Sequence, residues 1–166
     1  RALRDVTNLH NGTYQASAVG EVNVVGKMKA INAIIGGEGN GGVIYPELHY
    51  GRDALIGVAL FLTQLAERKI SVKELRSSYP NYFISKNKIE LTPEIDVDAI
   101  LSALAEKYKK EKITTIDGLK IDFSEGWVHL RKSNTEPIIR IYAESEGEEK
   151  ANEFASNMIN EIKELI

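Results

Sequence analysis

The chain has 166 residues and a formal net charge of −3; 43% of its residues are hydrophobic and 27% are charged, as in ordinary globular proteins. This charge excludes the general basic field that nucleic-acid binding needs, so an anion site has to be local. The lack of cysteine excludes disulfides and thiolate metal sites. Because of this charge, we expect no nucleic-acid partner. No apolar run is long enough to span a membrane and no signal peptide is visible, so we also expect no membrane partner and a cytoplasmic location.

The first half of the chain predicts alternating helices and short strands. The predicted elements are the tail of a helix at 1–10, a strand at 13–17, a helix at 22–31, a buried strand at 33–37 and a helix from Asp53 to about Arg68. Asp53 is a good N-cap for the last of these helices. Its apolar stripe is expected to be buried and consists of Leu55, Val58, Ala59, Leu62, Leu65 and Ala66. Ser71 and Glu74 predict a capping box for one more short helix.

The order of elements changes after residue 80. Strands are predicted at 82–91, 113–116, 119–123, 126–131 and 138–143, with one helix at 96–109 and a last helix capped by Ser145 and Glu148. The pattern indicates an α/β domain at 1–80 and an α+β domain at 81–166, whose helices lie on one face of an antiparallel sheet. Residues 79–92 are the expected linker. The start, RALRDV, has no methionine and lies inside a predicted helix, which suggests a fragment of a longer chain.

The turn of the last predicted hairpin, RKSNTEP at 131–137, carries more hydrogen-bond donors than a hairpin needs. Strand alternation could bring Arg131 and Arg140 to one rim of the sheet. Guanidinium forks match phosphate geometry, and hydroxyls and turn amides add neutral donors. The turn is therefore a candidate anion site. A solvated turn whose polar residues merely avoid burial is the alternative.

A second motif, GEGNGG at 37–42, formally matches the glycine pattern of a dinucleotide site. That site requires a helix directly after the glycines, whereas VIYP follows here, so we reject the dinucleotide interpretation. The glycines still allow close approach to a ligand. Glu38 and Asn40 would project from this loop and could grip vicinal sugar hydroxyls. A flexible connector with a solvated glutamate is the alternative.

The three histidines do not indicate a metal site. His10, His49 and His129 are far apart and lack metal-ligand spacing. His49 follows the glycine loop and could line the same cleft, although a structural role is the simpler interpretation. No Ser-His-Asp arrangement and no aspartate pair placed for a metal are visible, so we expect no metal ligand and no cofactor in this chain.

Three motifs, in this order along the chain, resemble the last two domains of the α-D-phosphohexomutases. They are GEGNGG, then GRDAL at the head of a helix, then RKSNTEP followed by Arg140. The resemblance covers essentially the whole chain and is strongest to bacterial phosphoglucosamine mutase and phosphomannomutase-like members. It implies a domain 3-like α/β fold with a mixed sheet and flanking helices. A domain 4-like α+β fold with an antiparallel sheet and helices on one face would follow.

The resemblance also implies a function and a set of site residues. Glu38 and Asn40 fall on the family's sugar-binding loop, and the phosphate-binding loop comprises Arg131, Ser133, Asn134, Thr135 and Arg140. The phosphoserine and the magnesium ligands lie in the family's first two domains, so no catalytic residue is expected here. The implied activity is an intramolecular phosphotransfer that isomerises hexosamine phosphates, with this chain alone inactive. Its partners would be a phosphosugar and the N-terminal domains of the same enzyme.

Two departures from the family leave the sugar open. Many relatives end the sugar loop in Ser-Gly-His, where this chain has Asn40-Gly41-Gly42. A loop that often carries a histidine of the cleft reads Ala-Val-Gly-Glu at 18–21, so the role of Glu21 stays open as well. A phosphomannomutase, a phosphoglucomutase and a phosphosugar-binding module without chemistry remain alternatives.

Overall fold

The computed structural model describes residues 1–92, 94–133 and 136–166. The chain divides into two compact units, Arg1–Pro80 and Asn81–Ile166. No helix in the described ranges is both long enough and apolar enough to cross a membrane.

The first unit contains four helices and two very short strands. In chain order they are α1 (Ala2–Leu9), α2 (Glu21–Ile31), β1 (Gly36–Gly37), β2 (Val43–Ile44), α3 (Ala54–Arg68) and α4 (Val72–Ser77). Strands β1 and β2 pair antiparallel, with Gly36 opposite Ile44 and Gly37 opposite Val43.

Local capping chemistry sets the start of two helices in this unit. The carboxylate of Asp53 accepts hydrogen bonds from the backbone N–H groups of Leu55 (2.8 Å) and Ile56 (3.1 Å) at the start of α3. The predicted capping box of α4 is present, since Ser71 and Glu74 each accept from the other's backbone N–H. Both N-cap predictions are confirmed.

Two strand predictions in this unit were wrong in whole or in part. Residues 13–17 form no strand, and of 33–37 only Gly36–Gly37 is paired. Ile34 is 82% exposed instead of buried. A strand exists only where a second strand satisfies its backbone groups, and the described residues of this unit provide one such pair, β1 with β2.

The predicted burial of the apolar stripe on α3 was also wrong. Leu55 is 81% exposed, and Val58 and Leu62 are more than half exposed. Helical periodicity shows that a face is apolar, but another element has to cover it before it is buried. Among the described residues of this unit, the buried hydrophobic side chains are Met28, Ile44 and Leu75.

The described residues of the second unit form a five-stranded antiparallel sheet and two helices. Its elements are β3 (Phe83–Glu90), α5 (Val97–Lys107), β4 (Lys112–Thr114), β5 (Leu119–Asp122), β6 (Gly126–Lys132), β7 (Ile138–Ser145) and α6 (Glu148–Glu164). The strand order is β3-β7-β6-β5-β4. This arrangement confirms the α+β fold expected for the second half of the chain.

Both helices of the second unit contribute to one core on one face of the sheet. The strands supply alternate residues to it, including Leu119, Ile121, Val128, Leu130, Ile139 and Ile141, and the helices supply Ile100, Leu104, Met158 and Ile162. Because side chains alternate along a strand, the residues between these positions face the opposite side of the sheet. That opposite side is called the open face below.

Two boundary predictions need correction. Residues 83–90, inside the expected linker, form an edge strand that pairs with β7 over eight residue pairs. Ser145 does not cap the last helix; it ends β7 and donates its hydroxyl hydrogen to the carbonyl oxygen of Glu125 (2.8 Å). The N-cap of α6 is Gly147, which makes no side-chain capping bond. Pairing with β3 and β6 extends β7 to Ser145, beyond the predicted end of this strand at residue 143.

Candidate functional site

The glycine-rich segment forms the tight loop between β1 and β2. The backbone N–H of Glu38 donates to the carbonyl of Gly42, and that of Gly41 donates to the carbonyl of Glu38, both at 3.0 Å. A Cβ on Gly37 would lie 2.3 Å from the carbonyl oxygen of Gly42, so this position admits only glycine. The Oδ1 of Asn40 accepts from the backbone N–H of Gly42 (3.0 Å). Its Nδ2 group is therefore what this side chain offers to a ligand.

An arginine that sequence analysis did not assign to the site holds the loop carboxylate. Arg52 places NH1 3.6 Å from Oε2 of Glu38, and its Nε donates to Oε2 of Glu21 at 2.9 Å. Its backbone N–H also donates to Oε1 of Glu21 (3.1 Å). The Glu38 side chain is only 15% exposed, so its carboxylate has a defined position. Arg52 thus connects the two acidic side chains, 17 residues apart in sequence.

His49 has structural partners in the same unit. Its Nδ1 accepts from the backbone N–H of Gly51 (3.0 Å), and its Nε2 lies 3.2 Å from Oδ2 of Asp53. Hydrogen bonds to Asp53 from the backbone N–H of Ile56, and then from His49, lower the pKa of the Asp53 carboxyl. These contacts assign His49 to the start of α3, which agrees with the structural interpretation of this residue.

The arginine-containing segment forms the hairpin between β6 and β7. Arg131 and Arg140 are directly opposite each other in the ladder, a closer placement than the common rim that strand alternation allowed. The backbone N–H of Ser133 donates to the carbonyl of Ile138 (3.1 Å), and the Ser133 hydroxyl accepts from the backbone N–H of Glu136 (3.3 Å). Asn134 and Thr135 lie outside the described residues.

Each arginine of the hairpin has a carboxylate partner. Arg131 places Nε 3.3 Å from Oδ1 of Asp117, and Arg140 places NH2 3.4 Å from Oε2 of Glu136. Asp117 belongs to the turn between β4 and β5, so sequence spacing gave no sign of its contact with Arg131. The structure therefore brings Arg131, Ser133 and Arg140 together in the second unit, while Glu38 and Asn40 share the loop of the first.

The described parts of the chain contain no group of three or more His, Asp or Glu side chains that could hold a metal ion. The β6–β7 hairpin carries positively charged hydrogen-bond donors, the guanidinium groups of Arg131 and Arg140. The β1–β2 loop carries the carboxylate of Glu38 and the amide of Asn40. The first set suits a bound dianion, and the second suits hydroxyl groups.

Comparison with known protein families gives one consistent match across the chain. Residues 1–82 match the model described as phosphoglucomutase/phosphomannomutase, alpha/beta/alpha domain III. Residues 88–161 match the phosphoglucomutase/phosphomannomutase C-terminal domain.

Relatives with curated names agree with this match. A phosphoglucosamine/phosphogalactosamine mutase of Sulfurisphaera tokodaii is 41% identical over 89% of this chain and 32% of its own length. A phosphoglucomutase/phosphomannomutase of Thermococcus kodakarensis is 37% identical over 99% of this chain and 36% of its own length. The chain therefore spans about a third of the length of these relatives.

Solved structures show the same fold. A phosphoglucomutase/phosphomannomutase family protein of Burkholderia thailandensis has a TM-score of 0.77 at 22% identity, covering 98% of this chain and 35% of that one. An Aspergillus fumigatus N-acetylphosphoglucosamine mutase, solved with GlcNAc-6P and magnesium, has a TM-score of 0.61 at 14% identity, with 96% and 38% covered.

Proposed function

Because this chain belongs to the phosphoglucomutase/phosphomannomutase family, as its domains III and IV, we propose that it is the substrate-binding half of a phosphoglucosamine mutase. The whole enzyme would interconvert hexosamine 6-phosphate and hexosamine 1-phosphate through a bisphosphorylated intermediate. The hexosamine assignment is supported by the name of the Sulfurisphaera tokodaii relative. The enzyme would work in the cytoplasm.

The observation that carries this proposal is the pairing of Arg131 with Arg140 across the β6–β7 hairpin. Two guanidinium groups at opposite positions can bind a phosphate dianion with charge-assisted hydrogen bonds, and both stay charged at any physiological pH. Ser133 adds a hydroxyl, and Asn134 and Thr135 of the same turn complete the proposed phosphate loop. The guanidinium groups are not nucleophiles at neutral pH, and a hydroxyl is a weak one unless a general base activates it, which suits a site that only holds the non-reacting phosphate.

The proposed sugar contacts are Glu38 and Asn40. A carboxylate accepts hydrogen bonds from vicinal hydroxyls, and an amide Nδ2 donates to a hydroxyl oxygen. The turn-around of a bisphosphorylated intermediate presents related hydroxyls in two poses, so acceptors and donors on a glycine-rich loop fit the task. Arg52, whose NH1 lies 3.6 Å from Oε2 of Glu38, holds this carboxylate in place for both poses.

The chemistry of transfer is assigned to the remainder of the enzyme. A phosphoserine there would donate and recover the phosphoryl group, and a bound magnesium ion would neutralise charge on it. The role of this chain is to bind, to orient and to exclude water from the bound sugar, and alone it is expected to be inactive. A phosphoglucomutase/phosphomannomutase is the second candidate, supported by the name of the Thermococcus kodakarensis relative.

We expect Glu38→Ala to weaken glucosamine 6-phosphate binding roughly tenfold, because a charge-assisted hydrogen bond at the weak end of its usual range contributes about 1.5 kcal/mol. Affinity for inorganic phosphate should not change, because the proposed phosphate groups lie in the other unit. Calorimetric titration of both ligands measures the two effects on one protein.

Glu67→Ala on α3 is the matched control for Glu38→Ala, since it removes the same charge from an exposed position of the same unit. It should leave both affinities unchanged. A Glu38→Ala protein that binds glucosamine 6-phosphate as well as its parent does would remove Glu38 from the sugar site. Equal losses for both ligands would mean that the substitution disturbs the fold.

A further inference from the structure

Three cationic side chains lie side by side on the open face of the second unit. Lys88 on β3 is directly opposite Arg140 on β7, and Arg140 is directly opposite Arg131 on β6. Their neighbours along the strands, Ile139 and Leu130, are fully buried in the core on the helix-covered face. The three cations therefore point to the open face, in one row across three adjacent strands. This set is called the cation row.

A cation row of this kind is unfavourable by itself. Residues directly opposite in an antiparallel pair have Cα atoms only about 4.5–5.5 Å apart, and like charges at such positions destabilise the sheet. A sequence that keeps three cations in register has to compensate the repulsion, either with its own carboxylates or with a ligand.

The carboxylates at the row compensate it only in part. Arg131 contacts Asp117 at 3.3 Å, with both side chains partly buried. Lys88 contacts Glu90 at 3.2 Å and Arg140 contacts Glu136 at 3.4 Å, in each case with both partners exposed. Exposed pairs of this type contribute only about 0–1 kcal/mol. Both carboxylates sit on side chains that can rotate away, and a dianion can take their place.

We propose that Lys88 is the third charged anchor of the phosphate site, together with Arg140 and Arg131. This inference rests on the proposed function and extends it to a strand outside the arginine-containing hairpin. A phosphate monoester has three terminal oxygens and a double negative charge, and the cation row offers two guanidinium forks and one ammonium group. Glu90 holds Lys88 and Glu136 holds Arg140 in the unliganded protein, and each carboxylate releases its cation when phosphate binds.

The competing interpretation of Lys88 is protection of a sheet edge. Edge strands often carry lysine because its charge prevents pairing with another chain, and β3 is an edge strand. Lys86 distinguishes the two roles, since it lies on the same strand and the same face. Its opposite residue is Tyr142, not an arginine, and its Nζ lies 5.7 Å from the centre of that ring. Edge protection would make the two lysines equivalent.

The test is the affinity of the 166-residue chain for inorganic phosphate and for glucosamine 6-phosphate, which two-dimensional NMR titration measures. We expect Lys88→Gln to weaken both ligands roughly tenfold, as loss of a charge-assisted contact does. Lys88→Arg should restore most of the affinity. Lys86→Gln and Lys112→Gln, the latter on the opposite edge strand β4, should each change it less than about twofold, as exposed charges outside the site do.

Thermal unfolding provides a second readout that a merely structural lysine would not give. Without phosphate, Lys88→Gln should melt at the same temperature as the parent or higher, because one repulsion is removed. The rise in melting temperature on adding phosphate should be smaller than in the parent. Equal phosphate affinity of Lys88→Gln and Lys112→Gln would overturn the Lys88 proposal.

The failure of the Lys88 proposal can be told apart from failure of the proposed function. If Arg140→Ala loses affinity and Lys88→Gln does not, only the third anchor is wrong. If the parent chain binds neither inorganic phosphate nor glucosamine 6-phosphate, both the phosphate site and its third anchor are wrong.

Discussion

Arg140→Ala is expected to weaken phosphate-ester binding roughly tenfold to a hundredfold, the largest effect on binding of any single substitution considered for this chain. The reason is that Arg140 sits in the middle of the cation row, opposite both Arg131 and Lys88. A hydrogen bond between a guanidinium and a phosphate contributes about 1.5–3 kcal/mol, and each 1.4 kcal/mol is about tenfold in affinity. Calorimetric titration with glucosamine 6-phosphate gives the number directly.

The same Arg140→Ala protein should keep its stability. The Arg140 side chain is 39% exposed and its pair with Glu136 is long, so the free energy of unfolding should change by less than about 1 kcal/mol. Arg68→Ala, which removes an exposed arginine from α3, is the control for the loss of charge. Unchanged phosphosugar affinity would mean that the hairpin is only a turn, and a large loss of stability would make Arg140 a structural residue.

Gly118→Ala is expected to destabilise the second unit by about 3 kcal/mol, from left-handed backbone strain together with overpacking. Gly118 has a φ of +75° in the turn between β4 and β5, which side chains rarely tolerate. An added Cβ would lie 2.1 Å from the carbonyl oxygen of Leu130 and 3.1 Å from Cα of Arg131. Since Asp117 next to it contacts Arg131, phosphate affinity should fall together with stability.

Chemical denaturation of the Gly118→Ala protein, followed by the fluorescence of Trp127, measures this loss. Gly147→Ala is the matched control in the same unit, because a Cβ there meets no atom within 4 Å and φ is −115°. It should change the free energy of unfolding by less than about 1 kcal/mol. A Gly118→Ala protein that unfolds at the denaturant concentration of the parent would contradict the role given to this turn.

Features that depend on neighbouring residues in sequence could be predicted. Asp53 and the Ser71–Glu74 box act within one turn of a helix, so their side chains and the backbone groups they cap are close in the chain. Period-two alternation indicated that Arg131 and Arg140 could meet at one rim of the sheet, and the structure shows that they are directly opposite each other. These local rules were enough to predict the β6–β7 hairpin.

Features that depend on distant segments could not be predicted. The apolar stripe of α3 was correctly identified as apolar, but burial requires a covering element that periodicity does not reveal. Arg52 contacts Glu21, 31 residues away, and no spacing rule connects them. The same holds for Lys88, whose place in the cation row depends on which strand pairs with β7. Lys88 becomes a candidate for the phosphate site only when the strand order β3-β7-β6 is known.

A mutase assay of the full-length protein that contains these two domains tests the proposed phosphoglucosamine mutase activity. Glucosamine, mannose and glucose phosphates are assayed in parallel with magnesium, and the 166-residue chain is assayed beside it. We expect turnover by the full-length protein, fastest with glucosamine phosphate, and none by the 166-residue chain. Turnover by the 166-residue chain alone, or a full-length protein inactive on all three sugar phosphates, would show that the proposed function is wrong.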